Sequence, residues 1–137
     1  LDLFSGVGSF GIECLSRGAK YVIFAENYNG VLPILNRNLL SLKSIENYEI
    51  LEKDINNINF FKSLNKKFDI IFMDPPYKDK NLNLLLDNIK DQKILNKNGI
   101  LVVHRRKDEK DIIPNNLKIV EEKKYGLSKI IFLTILN

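Results

Sequence analysis

One cysteine, one histidine and no long apolar run already limit what this 137-residue chain can do. Cys14 has no second thiol with which to form an intrachain disulfide, and a cysteine-rich zinc site is excluded for the same reason. Its place on the apolar face of a helix with Phe10 and Leu15 reads as core. His104 is the only imidazole, so a metal centre would rest on it and carboxylates alone; no metal is expected. No apolar stretch approaches the ~20 residues that span a bilayer, and no signal-like segment opens the chain, so no membrane partner and a cytoplasmic location are expected. What is present is ordinary globular material: 45% hydrophobic and 28% charged residues in a length that suits one domain over 1–137. The net charge of +4 gives a mild pull toward a polyanionic partner. Abundant Asn, Ile and Lys throughout, as an AT-rich genome would produce, dilute that signal.

The most informative segment is Asp74-Pro75-Pro76-Tyr77, which directly follows the apolar run Phe68-Asp69-Ile70-Ile71-Phe72-Met73. An exocyclic amino group on a purine has its lone pair conjugated into the ring and attacks an electrophilic methyl only when that conjugation is weakened. A carboxylate such as Asp74 and the carbonyl of Pro75 can each accept one N–H of such an amine. Pro75 and Pro76 bring no N–H of their own and hold the turn extended. Tyr77 offers a flat face for stacking a base. The plain alternative is a strand followed by a Pro-Pro turn.

A second motif, Asp2-Leu3-Phe4-Ser5-Gly6-Val7-Gly8-Ser9-Phe10-Gly11, places Gly6, Gly8 and Gly11 in a GxGxxG between a strand and a helix. Such a loop lets backbone approach a nucleotide, but alone it serves a dinucleotide, S-adenosylmethionine or merely a tight turn. Asp2 before the glycines suits a ligand with a cationic amino acid end better than a diphosphate. Glu26, after the run from Tyr21 to Ala25, is a candidate acceptor for ribose hydroxyls. Asp54, after the run from Tyr48 to Leu51, is a candidate acceptor for an adenine amino group. Singly, each acid is a solvated strand-end charge. Together they form a pattern.

The order DLFSGVGSFGIECLSRGA, FAEN, EKDI and FDIIFMDPPY resembles the RsmD-type 16S rRNA (guanine-N2)-methyltransferases over essentially the whole chain. The segment Lys124-Tyr125-Gly126-Leu127-Ser128-Lys129-Ile130 is similar to that family's closing hairpin. The resemblance implies that Asp2 to Gly11, Phe4 included, line the methionine part of S-adenosylmethionine, that Glu26 takes the ribose and Asp54 the adenine, and that Asp74 to Tyr77 hold the target guanine. It also implies an N-terminal arm with Arg and Thr positions. The chain starts at Leu1, inside strand one, and so reads as a fragment. Where many family members carry an acid after the fifth strand, this chain has His104-Arg105-Arg106, so that acid's role does not transfer.

Periodicity places strands at about 1–4, 21–25, 48–52, 69–73 and 100–103, with helices at about 9–17, 30–42 and 59–64 and another marked by Leu82, Leu85, Leu86 and Ile89. Leu32, Leu35, Leu39 and Leu42 form one stripe, with Pro33 in the first turn. Residues 118–124 and 129–136 alternate around a hairpin signal. The expected fold is α/β: a doubly wound, Rossmann-like class I methyltransferase sheet, mostly parallel, with an antiparallel closing hairpin strand. The strand order 3-2-1-4-5-7-6, with strands one and four adjacent, is implied by the resemblance alone. Lys78 and Lys80, and the run from His104 to Lys107, then fall on the carboxyl edge, where they would meet phosphates without reading sequence.

The expected function is S-adenosylmethionine-dependent methylation of a guanine N2 in small-subunit rRNA, free or in its assembling particle. DNA adenine-N6 methylation would use the same box, but 137 residues show no separate target-recognition domain. An NAD(P)-dependent oxidoreductase would use the glycines and Glu26 equally well and leave Asp74 to Tyr77 unexplained. A non-catalytic RNA-binding relative is the remaining alternative.

Overall fold

The computed structural model describes residues 1–76 and 81–136. Among these residues are seven strands and four helices, in two compact units that meet in sequence after Ile55. Tyr77, Lys78 and Lys80 lie outside the described residues.

The first unit, Leu1–Ile55, holds β1 (Asp2–Leu3), α1 (Ser9–Ser16), β2 (Val22–Ala25), α2 (Leu32–Leu40) and β3 (Tyr48–Leu51). Its strands run parallel, with β1 and β3 on either side of β2. Val22-Ile23-Phe24-Ala25 is an uninterrupted apolar run, and all four residues are buried, as a parallel strand covered on both faces requires. The leucine stripe of α2 supplies the cover. Leu32, Leu35 and Leu39 are buried against Phe24, Val22 and Leu15, and Leu42 packs beside them. Pro33 sits in the first turn of α2, where its missing N–H costs nothing. Truncating Leu35, which is fully buried, should cost about 2–5 kcal/mol.

The second unit, from Asn56 onward, holds α3 (Ile58–Ser63), β4 (Phe68–Met73), α4 (Leu82–Asp91), β5 (Leu95–Arg106), β6 (Leu117–Tyr125) and β7 (Ser128–Ile135). β4 and β5 are parallel, whereas β7 pairs antiparallel with both β5 and β6. Asn57 caps α3 by accepting the Asn59 N–H. Leu82, Leu85, Leu86 and Ile89 form the buried face of α4. Tyr125 pairs with Ser128 across a two-residue turn whose first position, Gly126, has φ +54°. That left-handed conformation explains the glycine there. β6 exposes almost all of its length, and Lys118, Glu121, Glu122, Lys123 and Lys124 along it discourage pairing with another chain.

Strand five is longer than periodicity suggests, beginning at Leu95 instead of Ile100. Phe68 pairs with Leu95 and Ile70 with Ile100, so an irregularity absorbs Asn96-Lys97-Asn98-Gly99, residues that read as a turn in sequence. The remaining elements match the expected ones within a few residues at each end, and the strand arrangement within each unit, 3-2-1 and 4-5-7-6, is the expected one. Among the described residues, no helix is long and apolar enough to cross a membrane.

Candidate active site

In the first unit, register places Leu3, Ala25 and Leu51 in one row at the carboxyl ends of three parallel strands. The loop after β1, Glu26 after β2 and Asp54 after β3 therefore leave the sheet at the same edge. The loop leaves β1 through Phe4, whose φ of +56° costs a non-glycine residue on the order of 1–2 kcal/mol. Gly6 and Gly8 follow, also at positive φ.

The three glycines are not equivalent. A Cβ on Gly8 would lie 2.6 Å from Leu35 Cδ1, and one on Gly11 would lie 2.3 Å from Phe24 Cε1. These two let α1 settle on the unit's own core. Gly6 has φ +57° and nothing within 4 Å of an added Cβ, so it alone borders open space. The sequence motif merges a packing requirement with a binding one.

Two of the predicted acids tie this loop together. Asp2 is buried, and its Oδ2 accepts the Gly11 N–H at 3.1 Å. Glu26 Oε1 accepts the Gly6 N–H at 2.9 Å, while Oε2 accepts those of Asn27 at 3.0 Å and Tyr28 at 3.1 Å. A carboxylate has about four lone-pair sites, so Glu26 retains one, on the oxygen that faces Gly6. Asp54 is exposed in the turn beyond β3. Cys14 is half-buried and packs against the Phe24–Leu35 core, and burial pushes its thiol above the ordinary range. It stands with the core, as its helix position implied.

In the second unit, Asp74 directly follows β4 with an exposed side chain; Pro75 is buried and Pro76 exposed. The unexpected partner is His104. Its Nδ1 lies 2.8 Å from Asp74 Oδ1. Met73 pairs with Val103 in the parallel β4–β5 ladder, so the residues one step further on stand side by side. The sequence carried this signal only as a register, which periodicity does not supply.

The basic run that begins at His104 resolves into separate pairs. Arg105 is buried, and its guanidinium grips Asp111 through Nε at 3.0 Å and Nη2 at 2.7 Å. Arg106 reaches Asp108 at 3.3 Å. Lys129, also buried, donates to the Glu109 carbonyl. Arg105 is thus a structural cation, committed to the turn beyond β5. Among the described residues, no three of His, Cys, Asp and Glu stand close enough together to hold a metal ion.

Parallel strands alternating with helices in each unit, a glycine loop and acids at the carboxyl ends of the first unit's strands, and an antiparallel closing hairpin in the second define the Rossmann-like methyltransferase class of fold. A solved ribosomal protein L11 methylase from Lactobacillus delbrueckii shares it, with a TM-score of 0.75 at 19% identity over 99% of this chain and 69% of that one. A conserved hypothetical protein of Streptococcus pyogenes superposes with a TM-score of 0.88 at 25% identity, covering 99% of this chain and 84% of its own. The chain belongs to the family described as Conserved hypothetical protein 95, the RsmD family, whose model matches residues 1–134. It is 35% identical over 134 residues to the ribosomal RNA small subunit methyltransferase D of Haemophilus influenzae, an alignment that takes in 93% of this chain. It spans 66% of that relative's length.

Proposed function

We propose that this chain carries out S-adenosylmethionine-dependent methylation of the N2 amino group of a guanine in 16S rRNA, in the cytoplasm. The observation that carries the reading is the exposed Asp74 carboxylate at the carboxyl end of β4, followed at once by Pro75 and Pro76. The name of the Haemophilus influenzae relative supports small-subunit rRNA as the substrate.

The first unit fits the cofactor. Gly6 leaves open the space that a Cβ would fill, and the one lone pair left on Glu26 Oε1 lies beside it. Gly6 and its neighbours, Glu26 and Asp54 would hold the methionine, ribose and adenine parts respectively. When bound, S-adenosylmethionine supplies an electrophilic methyl on a sulfonium. Glu26 would accept one ribose hydroxyl through that lone pair, and a second only on release of the Asn27 or Tyr28 N–H.

The remaining chemistry is assigned to the second unit. Asp74 and the Pro75 carbonyl each accept an N–H of the guanine amine, which localises its lone pair and aims it. Tyr77 would stack the base once it leaves its helix or loop. As the nitrogen becomes cationic its proton turns acidic, so it passes along the hydrogen bond to the exposed Asp74 carboxylate and from there to water. Asp74→Ala tests this assignment. The variant should lose on the order of 2.7–4 kcal/mol of transition-state stabilisation, about two to three powers of ten in single-turnover rate, with cofactor affinity unchanged. A rate within a few fold of the parent would make Asp74 structural.

A further inference from the structure

At the opposite end of β4 from Asp74, the second unit has a hollow of about 390 Å³ between the end of α3 and the end of α4. Lys62, Lys66, Lys67 and Lys93 line it, together with Asn65 and Gln92, and among the described residues no acid contributes to its wall. Phe61 and Ile94, both buried, form its apolar part. Asp91, which adjoins Gln92, pairs with Lys90 at 3.4 Å, and Asp69, two residues beyond Lys67, is engaged at 2.7 Å by the Asn96 side-chain amide.

Lysines often gather at helix C-termini to offset the helix dipole, so that role must be subtracted first. Each of the two helix ends contributes about −0.5 of a charge, which the ammonium groups of Lys62, Lys67 and Lys93 alone exceed by about two. The surplus is more than capping requires. The backbone agrees. Lys93 follows the C-cap Gln92 of α4 at φ +52°, in the position where glycine is preferred. A lysine there is a local cost that brings a cation to the hollow.

We propose that this hollow is a second phosphate-contact site for the RNA substrate, a rear anchor on the amino edge of the sheet; the proposal rests on the rRNA reading above. The choice of a polynucleotide over a small anion follows from distance. The six residues of β4 separate the hollow from Asp74 by about 20 Å. A nucleic acid strand reaches both places, and contact at the first improves placement at the second. Lysines without arginine or an exposed aromatic anchor suit backbone contacts that position RNA without reading its bases, and suit a protein partner poorly.

The test is the salt dependence of binding to a small-subunit rRNA transcript by the full chain. Each phosphate contact with a single strand contributes about 0.7 to the slope of log affinity against log salt. Replacing Lys62, Lys67 and Lys93 together by Gln should lower the slope by about 2, which amounts to about a hundredfold in affinity at 0.1 M salt. Lys93→Gly alone should lower affinity about fivefold while leaving the melting midpoint unchanged or raised, because glycine relieves the positive φ. Replacing Lys118, Lys123 and Lys124 on β6 by Gln should leave the slope unchanged. An unchanged slope in the hollow triple variant, or an equal fall in the β6 variant, overturns the proposal, as does tight binding of inorganic phosphate without any effect on RNA. The methylation assay separates the two readings. A chain that binds RNA through the hollow yet transfers no methyl contradicts the enzyme reading alone. Methylation with an unchanged KM in the hollow variant contradicts the anchor alone.

Discussion

His104 Nδ1 and Asp74 Oδ1 stand 2.8 Å apart, joined because β4 and β5 run parallel in a register that carries Met73 opposite Val103. The carboxylate assigned to the target amine is therefore held from one side before any substrate arrives. One oxygen is engaged by the imidazole, and the proposed reading gives the other to the guanine N–H.

His104→Ala should consequently reduce the methylation rate at saturating substrate while sparing cofactor affinity. A hydrogen bond to a charged group contributes about 1.5–3 kcal/mol, so a fall of about ten- to a hundred-and-fiftyfold is expected. His104→Asn places an amide nitrogen close to the position of Nδ1 and should restore most of the rate. Identical kinetics for parent and His104→Ala would show that the contact does not orient Asp74.

The glycines should separate by the source of their cost and by cofactor binding. Gly11→Ala drives a methyl into the Phe24 ring and should cost about 1–3 kcal/mol in a urea melt. Gly6→Ala meets no neighbour and should cost only the left-handed backbone penalty of about 1–2 kcal/mol, while it weakens S-adenosylmethionine binding in calorimetry. Equal binding by Gly6→Ala and the parent would remove Gly6 from the cofactor site.

These positions show how far the sequence could be read. The apolar runs at Val22 to Ala25 and Phe68 to Met73 and the leucine stripe from Leu32 to Leu39 announce their elements, because burial on both faces or on one helix face leaves a period in the residue types. The glycine spacing locates the loop but cannot divide its duties; Gly8 and Gly11 answer to Leu35 and Phe24, partners more than ten residues away. His104, Arg105 and Arg106 read as one basic cluster because a sequence shows charge without its partners. Asp74, Asp111 and Asp108 each claim one of them. The amino half of β5 was hidden by Asn96 to Gly99, whose turn chemistry is real but is absorbed inside the strand.

Breaking the Arg105–Asp111 pair should be the most damaging surface-distant change in the second unit. Both side chains are largely buried, so Asp111→Ala leaves a guanidinium without its bidentate acceptor and should cost about 3–5 kcal/mol by chemical denaturation. RNA binding measured on the folded fraction should not change, since Arg105 is not offered to phosphate. Loss of RNA affinity without loss of stability would reverse that assignment.

The central claim is settled most directly by mass spectrometry of digested small-subunit rRNA from cells in which the gene has been deleted, then restored as the parent or as Asp74→Ala. The account predicts that one guanine lacks its N2 methyl in the deletion strain, regains it with the parent and does not regain it with Asp74→Ala, while N6-methyladenine in DNA stays constant. An intact set of N2-methylguanines in the deletion strain, together with loss of N6-methyladenine from DNA, would contradict it.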